Sequence, residues 1–155
     1  MHLFDRSVGI LGTVPIVAAT IPIAVGAGLA EKLRDTTKVS VCFFGDGAIN
    51  RGPFMEALNW ATVFKLSVLF VCEQNGFAST THSDAVTGGG GANARAESLG
   101  LEAHTVDGND VAAVDALVAD LIPRIRGGSG PMFLSANTYR LKGHTSMDPA
   151  LYRDQ

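Results

Sequence analysis

Charge is scarce in this sequence. Only 17% of its 155 residues are Asp, Glu, Lys or Arg, and they nearly cancel, to a net −3. Acids and bases are interspersed and no Lys/Arg run occurs. That excludes the basic stripe of a nucleic-acid binder and the polybasic flank of a membrane-surface segment. Cysteine is scarcer still, with Cys42 and Cys72 the only two. Both stand inside apolar, strand-like runs, so they read as core residues in a reducing compartment rather than as a disulfide or metal pair. Internal repeats and obvious linkers are also missing, which points to a single domain over 1–155, long enough to bury a core. From Gly9 to Ala30 charge vanishes altogether. Pro15, Pro22, Thr13, Thr20 and four glycines interrupt that stretch, and it runs directly into "AEKLRD". A buried loop followed by a core helix fits better than a signal peptide or a membrane span, and a cytoplasmic location follows.

What is present is apolar patterning of two alternating kinds. "IPIAVGAGLAEKLRD" reads as a helix with Pro22 in its first turn and charge gathering at its end. "KVSVCFF" (38–44) is a strand, "PFMEALNWATVFK" (53–65) a helix opened by proline, and "LSVLFVC" (66–72) a strand apolar on both faces. A long polar segment follows at 73–93, in which four consecutive glycines suggest a mobile loop. "ARAESLG" makes a short helix stopped by Gly100, and "EAHTVDG" a third strand. Asp110 caps the helix "VAAVDALVADLIPRIR", which Pro123 should kink. "PMFLSANTYR" is a fourth strand, and the tail from Leu141 is loop. Strands without a polar face, separated by helices, imply an α/β fold: a doubly wound, mostly parallel sheet covered on both sides.

In such sheets ligands gather outside the carboxyl ends of the strands. Asp46, between Gly45 and Gly47, stands at the end of the first strand, and Asn75 at the end of the second. One helix and one strand separate them, so both return to the same sheet edge. Two oxygen ligands on adjacent strand tips can share a hard cation, Mg²⁺ or Ca²⁺, which commonly bridges to phosphate. The flanking glycines let phosphate oxygens approach the backbone, and the N–H groups of Gly47 and Ala48 face an anion from a helix start. Gly45-Asp46-Gly47 alone, or Asn75-Gly76 alone, is an ordinary turn. Together, at this spacing, they read as a metal–diphosphate site.

"GDGAINRG" followed by "CEQNGFA" resembles the paired motif of thiamine-diphosphate enzymes. The blocks "MHLFDRSVGILG", "IPIAVGAGLAEKL", "VDGNDVAAV", "GPMFLSANTYR" and "GHTSMDP" narrow the resemblance. In order and over nearly the whole chain, they look like the α subunit of the thiamine-dependent 2-oxo acid dehydrogenases, which act on pyruvate, branched-chain 2-oxo acids or acetoin. The resemblance implies the thiamine-diphosphate-binding fold, with Mg²⁺ held by the Asp46 and Asn75 side chains and the Phe77 carbonyl. It places Gly45, Gly47 and Ala48 on the diphosphate and the backbone around Val17 on the aminopyrimidine ring. It places Arg140 and His144 of "YRLKGH" at the diphosphate and the reaction centre, with His144 the catalytic candidate for protonation or for positioning the acyl acceptor. His2, His82 and His104 take a structural default.

The implied reaction is decarboxylation of a 2-oxo acid and passage of the acyl group to a lipoyl-bearing acyltransferase. The family α subunit is more than twice as long, and Met1 aligns inside its cofactor domain. The glutamate that activates the aminopyrimidine comes from a β subunit, and none of Glu31, Glu56, Glu73, Glu97 or Glu102 matches it. The chain is thus expected to hold half an active site and to work in an oligomer. The competing expectations are a binding or interaction module that keeps the fold without catalysis, and a transketolase-like half.

Overall fold

The computed structural model describes residues 2–153. Helix α1 (Thr20–Leu33) leads into strand β1 (Ser40–Gly45), and a 3-10 turn (Asp46–Asn50) passes the chain to α2 (Gly52–Val63). Strand β2 (Val68–Gln74) is followed by a two-stranded hairpin, β3 (Phe77–Ala78) and β4 (Thr81–His82). Then come α3 (Gly91–Ser98), β5 (Glu102–Asp107), α4 (Val111–Arg124) and β6 (Met132–Asn137). The four long strands form one parallel sheet in the order β1-β2-β6-β5. This is the expected α/β fold with a parallel sheet.

The strand order explains the layers. From β1 to β2 and on to β5 the chain moves one way across the sheet, and α2 and α3 share a face with α1. From β5 it steps back to β6 in the middle, which places α4 on the opposite face, as right-handed crossovers require. The larger core lies under α1, α2 and α3, where Phe44, Phe54 and Phe133 meet edge-on or tilted at 5.9–6.1 Å. Such aromatic contacts add to the area they bury. The smaller core pins Leu121 and Ile125 of the α4 end onto Leu69, Val71 and Leu134. Cys42 and Cys72 are buried on the first face, free thiols in the core as expected.

Two expectations change. The sheet is not covered on both sides everywhere: α4 does not reach β1, whose burial alternates, leaving Val41 and Phe43 exposed. The segment ahead of α1 is not a buried loop. Leu3, Phe4, Ile10, Leu11 and Ile16 are exposed, because the loop closes on itself through paired Asp5–Ile10 backbone bonds of 2.8 and 2.9 Å instead of packing on the sheet. Pro123 lies inside α4, whose α geometry stops one residue later and opens into a π turn (Ile125–Ser129). The cap on α4 is as expected, with Asp110 Oδ1 accepting from the N–H groups of Ala112 and Ala113 at 3.0 and 3.1 Å. Among the described residues no helix is long and apolar enough to cross a membrane.

Candidate functional site

Register brings the carboxyl ends of the strands into line. Gly45 pairs with Glu73, and Gln74 with Asn137, so the residues after β1, β2 and β6 leave the sheet side by side. Asp46 follows β1 directly and is 2% exposed. Its Oδ2 accepts the backbone N–H of Gly76 at 2.9 Å. Its Oδ1 is buried with no hydrogen-bond partner. A buried carboxylate oxygen without a donor is costly, and a cation is the usual partner for one. The Asp46 charge also reaches the next strand, where burial first, and then the charges of Asp46 and Glu73, push the Cys72 thiol up to about 12.

The residues around Asp46 are shaped by close approach. Gly76 turns the chain after Asn75 with φ +81°, a conformation suited to glycine. Asn75 Oδ1 accepts from the N–H of Phe77 at 3.1 Å, an Asx turn that launches the β3–β4 hairpin. A Cβ on Gly47 would stand 3.0 Å from the Ala78 Cβ, so the turn and the hairpin touch only because Gly47 has no side chain. A Cβ on Gly45 would meet nothing within 4 Å, which leaves open space beside the strand tip. Ala48 is buried inside the turn. Asp46, Gly47, Asn75 and Phe77 thus form one connected unit.

Arg140 reaches the same unit from β6. Its guanidinium donates 2.7 Å bonds to the Ser79 carbonyl in the hairpin and to the Tyr152 hydroxyl, and it lies 5.7 Å from the centre of the Phe77 ring. Its Nη1 is 3.4 Å from His144 Nδ1. A guanidinium only donates, so in a hydrogen bond here Nδ1 would be the acceptor. Asp148 organises the loop between them, accepting from the His144 N–H at 2.6 Å, the Ala150 N–H at 2.9 Å and the Tyr152 hydroxyl at 2.7 Å. Val17 stands apart: it is exposed and shares no hydrogen bond with these residues, and the chain turns sharply after it at Ala18, φ +71°.

A model of the dehydrogenase E1 component family matches residues 1–155. The chain belongs to that family. It is 41% identical over 153 residues to the alpha subunit of acetoin:2,6-dichlorophenolindophenol oxidoreductase from Cupriavidus necator, covering 99% of this chain and 46% of that one. It is 36% identical to the pyruvate dehydrogenase E1 component subunit alpha of Rhizobium meliloti, over 100% of this chain and 44% of that one. A solved structure from Mycobacterium smegmatis, described as a proposed thiamin diphosphate-dependent enzyme, matches with a TM-score of 0.59 and 26% identity. That match covers 80% of this chain and 22% of that one. The chain spans less than half the length of the curated relatives it matches.

Within this E1-family chain, several residues of the site carry no motif. Arg95, Asn50 and Thr87 tie the turn after Asp46 to the glycine-rich segment, and Asp148 and Tyr152 hold Arg140. A lone polar residue on a short helix has no sequence signal. The "DPALY" spacing offered only a weak one, an aspartate four residues before a tyrosine. No group of three His, Cys, Asp or Glu is assembled among the described residues, so a cation here would rest on one carboxylate with amide and carbonyl oxygens. That donor set suits a hard ion.

Proposed function

We propose that this chain carries the Mg²⁺- and diphosphate-binding half of a thiamine-diphosphate-dependent 2-oxo acid dehydrogenase, completed by a β subunit. The observation that supports this most strongly is Asp46: one oxygen is fixed by Gly76 N–H, and the other is buried and unpartnered at the strand tips. The residues present fit the group. Asp46, Asn75 and the Phe77 carbonyl would hold the cation, and the backbone of Gly45, Gly47 and Ala48 would face the diphosphate, with room left over Gly45. Thiamine diphosphate, when bound, supplies an electron sink for the carbanion that decarboxylation of a 2-oxo acid leaves behind.

The chain's own residues contribute placement and proton control. The Asp46–Gly76 bond locks two strand tips together, so the donors need little reorganisation on binding. Arg140 fixes the hairpin that presents Phe77, and its cation adds positive potential on that side. His144, exposed with Nδ1 toward Arg140, would present Nε2 to an oxygen of substrate or acceptor, for protonation steps or for positioning. The carboxylate that activates the aminopyrimidine would come from the partner subunit. The acyl acceptor is a lipoyl-bearing acyltransferase.

Calorimetric titration of the chain with thiamine diphosphate, with and without Mg²⁺, tests the reading. Binding should appear only with the cation and vanish in Asp46→Ala. Equal affinity in the variant would remove the assignment.

A further inference from the structure

Arg95, on α3, is half-buried and makes three bonds that join the Asp46 turn to the glycine-rich segment. Its Nη1 donates to the Ile49 carbonyl at 2.5 Å and to Asn50 Oδ1 at 2.8 Å, and its Nη2 to the Gly88 carbonyl at 3.3 Å. Ile49 and Asn50 close the 3-10 turn that begins at Asp46. Gly88 opens the run of four glycines, in which Gly89 and Gly91 adopt φ of +78° and +77°. Asn50 in turn donates to Thr87 Oγ1 at 3.0 Å, so turn and glycine segment are joined twice.

The guanidinium is itself held in place by its helix. Asn93, two residues earlier, accepts from the buried Ser135 hydroxyl of β6 at 2.6 Å and donates to Thr105 of β5 at 2.8 Å. These bonds register α3 against the two strands, and Ala92 and Ala96 pack it into the larger core. Arg95 therefore projects from a fixed base. The start of the turn is held by the Asp46–Gly76 bond and its middle by burial of Ala48 and Ile49. Its Gly45 cap offers no side chain, which leaves the side-chain hydrogen bonds at its far end to Arg95 and Asn50.

We propose that Arg95 is a positioning residue for the Asp46 turn, setting the backbone N–H groups of Gly47 and Ala48 and coupling them to the Gly88–Gly91 segment. The inference rests on the reading of that turn as the diphosphate cradle. Arg95 touches neither cation nor coenzyme in this role. It acts through Ile49, Asn50 and Gly88. Lysine cannot replace it, because three acceptors at these separate positions need a planar fork and not a point charge.

The test uses the full chain in wild-type, Arg95→Lys and Arg95→Ala forms. Hydrogen exchange of the cation-free chain should show faster amides at Asp46–Asn50 and at Thr87–Gly91 in both variants, while β2 and β6 stay protected. Mg²⁺-dependent thiamine diphosphate affinity should fall about tenfold or more, as loss of charge-assisted bonds predicts. Free guanidinium ion should partly restore it in Arg95→Ala, an effect a merely structural role would not show. Unchanged exchange in the turn of the folded Arg95→Lys chain would overturn the proposal, whatever the coenzyme does. Wild-type affinity in both variants would overturn it as well. A wild-type chain that binds no coenzyme would refute the cradle reading separately, with the exchange result still deciding for or against Arg95.

Discussion

The carboxylate of Asp46 stands between two chemistries: Oδ2 accepts the Gly76 N–H at 2.9 Å, and Oδ1, equally buried, accepts nothing. The first contact is structural, a bond between the ends of adjacent strands. The second is a deficiency that a divalent ion would remedy. Substitution can separate the two.

Asp46→Asn keeps an oxygen for Gly76 and removes the charge. Mg²⁺-dependent coenzyme binding should be lost, while melting without the cation stays level or rises, because an unpaired buried carboxylate is gone. Asp46→Ala should lose binding and also destabilise, by about 1–3 kcal/mol, since the Gly76 N–H is left without a partner. Thermal melting beside calorimetry checks both. An asparagine variant that still gains stability from Mg²⁺ would disprove the Oδ1 assignment.

Asp46 and Asn75 were legible because strand–helix–strand spacing puts alternate strand ends on one edge, whatever the packing details. The short hairpin Phe77–His82 was not, because two-residue strands have no periodicity and the surrounding polar residues look like loop. The exposure of Val41 and Phe43 escaped for a different reason. Apolar runs show what a strand would prefer to bury, but whether a helix arrives depends on how far α4 extends across the sheet. Arg95 escaped because two of its three partners lie 45 and 46 residues away in sequence, and two of the three are main-chain carbonyls, which carry no residue signature.

The two glycines beside Asp46 should differ in what their loss does to stability. Gly47→Ala places a Cβ 3.0 Å from the Ala78 Cβ and 3.2 Å from its Cα, so the hairpin must shift. Destabilisation of about 1–3 kcal/mol should result, with weaker coenzyme binding. Gly45→Ala meets nothing within 4 Å at an extended φ of −83°, so melting should stay within about 0.5 kcal/mol of wild type. Its methyl would occupy the space left for the diphosphate, and affinity alone should drop. Equal melting of the two variants would show that Gly47 is not a steric contact.

Burial raises the Cys42 thiol to about 11 and the Cys72 thiol to about 12. Both should therefore remain protonated and inert to a thiol-disulfide reagent at neutral pH in the native chain. Unfolding in guanidinium should release two reactive thiols. Rapid labelling of either cysteine before unfolding would show that the sheet face under α1 and α2 opens more readily than its packing indicates.

The loop that carries His144 should be sensitive to acid in one direction only. Asp148 lies below its ordinary value of 3.8, first because the Tyr152 hydroxyl donates to it, then because the Ala150 and His144 N–H groups do. These donors favour the ionised form in the folded loop. Their stabilisation is therefore complete above the ordinary carboxylate range and disappears as pH falls through the lowered folded value, below 3.8. Protection of the His144 and Ala150 amides, relative to their intrinsic exchange rates, should fall in that acid window. Asp148→Asn should loosen the same amides at neutral pH and flatten their acid response. Tyr152→Phe should do so partially, since it removes one donor and also the 2.7 Å bond to Arg140. Either variant should weaken acyl transfer with a β partner more than coenzyme binding, because His144 loses its place while Asp46 keeps its own. An acid response unchanged in Asp148→Asn would assign the titration to another group.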